Sequence, residues 1–277
     1  MNKSFLTLAL AAIVFTGAST QASAQAPANE QAVDLGLPSG LKWASCNIGA
    51  NAPEDYGNYY AWGETETKAD YSWATYKHAN GDYNKLTKYC YNASYGNNGF
   101  IDNKTTLEPE DDAANVNWGG SWRMPTDAEW TELRTQCTWT WTTTQNGVNG
   151  YQVASKTNSN SIFLPAAGYR SDTDIFNAGS DGYYWSSSLN ENSPDNAWYV
   201  SFLSGYVDRF YDYRGDGFPV RPVQESETGT GIDRPSATET APARKILRNG
   251  QVLIERGEKT YTILGNDLPN PSKGGAL

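Results

Sequence analysis

The chain has 277 residues, 38% of them hydrophobic and 13% aromatic, with 10 Trp and 18 Tyr against 2 Met. That length supports one good core and a small second module, and the aromatic, Gly, Asn, Ser and Thr content favours short strands and turns over long helices. A formal charge of −10 with no Lys/Arg cluster excludes nucleic acid and anionic membrane surfaces as partners, since both need clustered cations.

Residues 1–24 read as a secretory signal peptide. Lys3 precedes an apolar run from Phe5 to Phe15, and Ala22-Ser23-Ala24 then fits an A-x-A cleavage site. The run is too short for a transmembrane segment, so the expected product is exported, to the cell surface or the extracellular space. Cys46, Cys90 and Cys137 allow at most one disulfide and match no zinc spacing, so they read as structural.

A domain begins at VDLGLPSGLKWASCNIGA (33–50), two apolar patches around a Pro-Ser-Gly turn. Residues 51–112 are irregular and rich in Tyr, Asn and Gly, which predicts long loops with strand fragments. PTDAEWTELRTQC (125–137) predicts a helix: Thr126 and Glu129 form a capping box, and Trp130, Leu133 and Cys137 share one face. Strands are expected in CTWTWTTT (137–144), GYQVAS (150–155), SIFLPAAGYR (161–170), GYYWSSS (182–188), AWYVSFL (197–203) and GFPVRPV (217–223), with turns at Asn146-Gly147 and Asn149-Gly150. In AWYVSFL, Trp198, Val200 and Phe202 fall on one face and Tyr199, Ser201 and Leu203 on the other. Residues 224–243, rich in Ser, Thr, Glu and Pro, read as a disordered linker, and 244–265 as a β-hairpin tail turning at Asn249-Gly250, with KTYTI as a third strand.

WGGSWRMPTDAEWTEL, SIFLPAAGYR, DGYYWSSS and GFPVRPV, in that order, resemble the Fibrobacter succinogenes major paralogous domain. That group is common in exported Bacteroidetes proteins and is similar to the C-type-lectin-like fold of the formylglycine-generating enzymes. The resemblance covers 33–223 and implies an α+β fold: a C-type-lectin-like domain with short twisted antiparallel sheets, one or two helices and long loops, here followed by a linker and a small β tail. The tail resembles C-terminal sorting segments of Bacteroidetes surface proteins, from which the final DLPNPSKGGAL departs. The same fold includes variable proteins of diversity-generating retroelements, whose last strands carry ligand contacts derived from Asn codons by adenine mutagenesis. Tyr206, Asp208, Phe210 to Tyr213, Gly215 and Asp216 are all reachable from Asn in that way, with Val207, Arg209, Arg214 and Gly217 as the frame. The alternative is an ordinary paralogue with a Tyr/Asp-rich loop.

YVDRFYDYRGD (206–216) is the candidate contact surface. Tyr and Phe supply stiff apolar area, and Asp supplies directional polar contacts suited to sugars and proteins. Three Asp in nine residues are hard to bury, which favours an exposed face over one that half fills a core. The candidate ligand-binding residues are Tyr199, Tyr206, Asp208, Phe210, Tyr211, Asp212, Tyr213 and Asp216, and the expected partner is a glycan or a surface protein of another cell or phage. Arg214-Gly215-Asp216 reads as a turn rather than an adhesive tripeptide. His78, the only histidine, reads as a solvated loop residue. No cofactor is expected; calcium has only scattered oxygen donors in DAANVN (112–117) and SPDNAW (193–198). Formylglycine-generating enzymes need a late cysteine pair, and no cysteine follows Cys137. A glycosidase would need a carboxylate pair drawn from Asp181, Asp195, Asp208 or Asp212. The expected function is a non-catalytic, exported, adhesin-like binding protein; the alternatives are a degenerate formylglycine-generating-type enzyme and a structural surface protein without a ligand.

Overall fold

A computed structural model describes residues 31–225 and, beyond them, strands within 244–268. The signal peptide and all of the linker except Gln224 and Glu225 lie outside the described residues. The chain divides into two units, Met1–Ser226 and Glu227–Leu277.

In chain order the first unit runs β1 (Ala32–Asp34), β2 (Lys42–Ala44), β3 (Tyr59–Ala61), α1 (Ala113–Trp118), α2 (Asp127–Gln136), β4 (Cys137–Gln145), β5 (Val148–Ser155), β6 (Ser161–Pro165), β7 (Tyr169–Ser171), β8 (Asp174–Phe176), β9 (Asp181–Leu189), β10 (Asn196–Leu203), β11 (Tyr206–Tyr213), β12 (Gly217–Pro219) and β13 (Val223–Gln224). Four small sheets result, ordered β1-β2-β13, β3-β12-β7-β8, β4-β5-β6 and β11-β10-β9. All their strand pairs are antiparallel. With two short helices, this is a mixed, mostly antiparallel α+β architecture.

Local chemistry accounts for the firmest elements. At the start of α2 the Thr126 hydroxyl accepts from the Glu129 N–H at 3.3 Å, and the Glu129 carboxylate accepts from the Thr126 N–H at 2.7 Å, which satisfies two free helix donors reciprocally. Trp130 and Leu133 are buried from that helix. Asn146 (φ 49°) and Gly147 (φ 79°) close the β4–β5 hairpin, both in the left-handed conformation that matches strand twist.

The β9–β10 pair separates two cores. Tyr184, Val200 and Phe202 pack on one side with Trp43, Trp130 and Leu133. Trp185, Ala197 and Tyr199 pack on the other with Trp62, Tyr89 and Phe218. Alternation along β10 therefore feeds both cores, as a central strand requires.

GFPVRPV does not form one strand. Gly217–Pro219 joins one sheet and Val223 another, because Arg221 between them turns inward and is fully buried. Its guanidinium donates to Asn47 Oδ1 at 2.8 Å, to the Ala44 and Ser45 carbonyls at 3.1 and 2.9 Å, and to the Phe163 carbonyl at 2.9 Å. Helix α1 and strand β8 also go beyond the sequence reading. All three cysteines are free and buried, so none of them forms a disulfide.

Gly168 precedes the β7–β8 hairpin at φ +65°, and a Cβ there would collide with the Phe176 carbonyl oxygen. Gly168→Ala is therefore expected to cost about 2 kcal/mol or more, measured as a fall in the urea midpoint. An unchanged midpoint would show that the hairpin shifts freely.

In the second unit, β14 (Arg244–Arg248), β15 (Gln251–Arg256), β16 (Lys259–Thr262) and β17 (Asp267–Leu268) form one antiparallel sheet in chain order. Arg248 pairs with Gln251; the turn expected at Asn249-Gly250 lies outside the described residues.

Candidate functional site

Strand β11 lies at the edge of its sheet, paired only with β10, and none of its eight residues is buried. An edge strand of this kind has no need for Val and Ile. Its cross-strand partners run from Leu203 opposite Tyr206 to Asn196 opposite Tyr213, so even and odd positions fall on different faces.

The even face carries Tyr206, Asp208, Phe210 and Asp212. Here β11 extends one of the two cores outward as a continuous row of rings. Centroid separations are 5.3 Å for Phe176–Tyr169, 4.8 Å for Tyr169–Tyr183, 5.8 Å for Tyr183–Tyr199, 6.2 Å for Tyr199–Phe210 and 6.3 Å for Phe210–Tyr206. The row is buried in the middle, where Tyr199 is 7% exposed, and open at its ends, where Phe176, Phe210 and Tyr206 are 42%, 40% and 45% exposed. Leu203, opposite Tyr206, is exposed as well.

The odd face carries Tyr211 and Tyr213, both about half exposed. Tyr211 meets Trp198 edge-on at 5.4 Å and Tyr213 meets Trp73 at 5.9 Å. The Arg209 guanidinium lies 3.9 Å over the Trp198 ring and pairs with Asp127 of α2 at 3.2 Å. Asp208 pairs with Arg134. Both charges of this segment that have partners are thus spent on holding β11 against α2.

Several expected site residues sit elsewhere than expected. Tyr199 is core: it belongs to the middle strand and meets the stacked Trp185 and Phe218 rings edge-on. Asp216 lies beneath the surface at 8% exposure, because the chain turns inward after Tyr213 to enter β12. Arg214 is fully buried, so the Arg-Gly-Asp tripeptide presents no basic side chain to solvent. His78 is not solvated; it is 4% exposed, its Nε2 lies 2.8 Å from the Gly63 carbonyl and 3.5 Å from Asp111, and Tyr76 and Tyr89 meet its ring edge-on. Tyr169, Phe176, Tyr183, Trp198 and Trp73 complete the two faces and were missed. The only signal for them was their aromatic character, since their proximity arises between distant strands.

Electrostatics divide the two ends of the segment. Burial raises Asp212, with a hydrogen bond from the Tyr213 N–H opposing it. Burial pushes Asp216 up to about 7, opposed by a hydrogen bond from Ser171 and reinforced by Asp212 and Asp172. Tyr169 and Tyr199 are raised by burial first, and the charges of Asp212 and Asp216 add to it.

The scattered calcium donors have structural work. Asp112 caps α1, accepting from Ala114, Asn115 and Met124 N–H groups at 2.8, 3.2 and 2.8 Å. Asp195 is buried, and its backbone carbonyl accepts from the Arg214 N–H at 2.9 Å. Among the described residues no group of three or more His, Cys, Asp or Glu side chains is placed to hold a metal ion, and no helix is long and apolar enough to cross a membrane. Burial raises the Cys90 and Cys137 thiols, which makes them poor nucleophiles at neutral pH.

A family model described as a domain of unknown function, DUF8237, matches residues 138–223. The match starts inside β4 and ends at Val223, so it takes in the whole of β11 and the ring row. It leaves out β2 and β3, whose partners β13 and β12 lie at its end. Neither a curated protein nor a solved structure matches the chain, and no enzyme family is found for it.

Proposed function

We propose that residues 31–225 form a C-type-lectin-like binding domain of the Fibrobacter succinogenes major paralogous type. It is exported, and it contacts a ligand on another cell or phage through β11 without catalysing a reaction. The observation that carries this reading is the ring row from Phe176 to Tyr206, buried at its centre and exposed at its ends. Rings held from behind by a core lose little freedom on binding, and aromatic side chains supply most of the energy at contact surfaces. A solely structural protein gains nothing from exposing Tyr206, Phe210, Tyr211 and Tyr213 on one eight-residue strand.

The test screens the folded protein against a glycan array and a panel of whole bacterial cells. Tyr206→Ala with Phe210→Ala is expected to weaken the strongest signal by about tenfold to a hundredfold. The urea midpoint should move by no more than about 2 kcal/mol equivalent, since these side chains are only partly buried. Absence of saturable binding to either panel would refute the binding reading and leave a structural surface protein.

A further inference from the structure

The ring row has a charge of one sign only. Asp212 is on the even face of β11, Asp181 lies opposite Leu203 on β9, and Asp216 directly precedes Gly217, which pairs with Arg170 beside Tyr169. Among the described residues no ion pair includes Asp172, Asp181, Asp212 or Asp216.

Every nearby guanidinium is committed in another direction. Arg134 holds Asp208, Arg209 lies on Trp198 and Asp127, Arg170 lies over the Tyr59 ring at 5.5 Å, and Arg214 is buried among backbone carbonyls. The face therefore combines exposed aromatic area with carboxylates that have no counter-ion.

Resting on the binding reading above, we infer that this face seats a basic polypeptide segment, with a Lys or Arg side chain laid across the exposed Phe210 ring and its charged end directed at Asp212 and Asp216. Charge complementarity selects a cation, and ring faces attract one through their quadrupole. Depth selects the polypeptide. Asp216 is 8% exposed, so a charge reaches it only on a slender stem, and the three or four methylenes of Arg or Lys supply both that reach and an apolar surface to cover the rings. An amine attached directly to a sugar ring is held back at the rim.

The experiment titrates the full chain with a blocked ten-residue peptide of alternating Thr and Lys. Parallel titrations use its ε-acetyllysine and ε-trimethyllysine forms and a chitosan hexamer. Saturable binding of the Lys peptide is expected, kept within about threefold by trimethylation, which preserves the cation, and lost on acetylation. Asp212→Asn with Asp216→Asn is expected to weaken it at least about tenfold. Asp82→Asn with Glu66→Gln removes two carboxyl groups elsewhere and should change it by less than about twofold. Equal weakening by both pairs would reduce the effect to the chain's overall charge and overturn the inference. So would equal binding of the acetylated peptide, tighter binding of the chitosan hexamer, or no saturable binding of the Lys peptide. If a ligand from the array or cell screen depends on Tyr206 and Phe210 but not on the two aspartates, the binding surface stands and the cation seat falls.

Discussion

Replacing Arg214 by Leu is expected to remove about 4 kcal/mol or more of folding stability, a large part of what a domain of this size holds. Its guanidinium donates to the Tyr89 and Pro194 carbonyls, each at 2.8 Å, to the Lys88 carbonyl at 3.0 Å and to the Tyr76 hydroxyl at 3.0 Å. Trp62 and Tyr76 face it at 5.1 and 5.3 Å. Deleting the donor orphans two buried carbonyls and a half-buried third at once, and each buried one costs about 1–3 kcal/mol to leave unpaired. Relief from burying the charge offsets part of that cost, hence the net figure.

Arg214→Lys should recover less than half of the loss, because one ammonium on a flexible stem cannot reach acceptors arranged around a planar fork. The backbone of the same residue ties the end of β11 down: its N–H donates to the Asp195 carbonyl and its carbonyl accepts from the Trp62 N–H, both at 2.9 Å. Urea unfolding followed by Trp fluorescence measures the effect. A Leu variant within about 1 kcal/mol of the parent would mean that water replaces the fork and that the loops from Tyr76 to Pro194 are not held by it.

What the sequence made legible is what local chemistry decides. The capping box at Thr126 and Glu129, the Asn146-Gly147 hairpin and the alternation in β10 each depend on neighbours a few residues away. The exposure of Tyr206, Phe210, Tyr211 and Tyr213 was legible too, since Asp208 and Asp212 beside them resist burial. Long-range partners decided the rest. A period of two places Tyr199 on a face, but only the arrival of β12 and the β7–β8 hairpin makes that face a core. GFPVRPV reads as one apolar strand because nothing local reveals that four acceptors from β2, its following turn and β6 wait for Arg221. Phe176, in the polar run SDTDIFNAG, gives no sign that its ring will stack on Tyr169.

His78 shows the same limit, and its burial sets a pH dependence. The imidazole sits among polar neighbours in sequence but loses its water to Gly63, Tyr76 and Tyr89 in the fold. Burial lowers it to about 4 from an ordinary 6.5; the hydrogen bond to the Gly63 carbonyl and the charge of Asp111 oppose this, and Arg214 and Lys77 add to it. Asp111 itself stays ionised: burial would raise it, but hydrogen bonds from Lys88, Lys77 and Tyr89 outweigh that and bring it to about 2. Between pH 6.5 and 4 the unfolded chain binds a proton at His78 that the folded chain refuses, so stability falls as pH falls through this window. At about 1.4 kcal/mol per pH unit the loss reaches about 3 kcal/mol at pH 4.

Asp112 and Asp216 act with the opposite sign. Burial raises them to about 6 and about 7 in the folded state, so the folded chain takes up their protons first and gains stability as pH falls towards their ordinary value of 3.8. The parent profile alone would therefore conceal the histidine. His78→Gln isolates it, because the Gln amide can still donate towards the Gly63 carbonyl and does not titrate. With unfolding free energies measured at pH 7, 5.5 and 4, the parent should lose about 3 kcal/mol relative to the variant across that range. Parallel profiles would mean that the imidazole is already protonated in the fold and paired with Asp111. In that case the cluster beneath the end of β11 would be an ion pair and not a neutral histidine packed between two tyrosines.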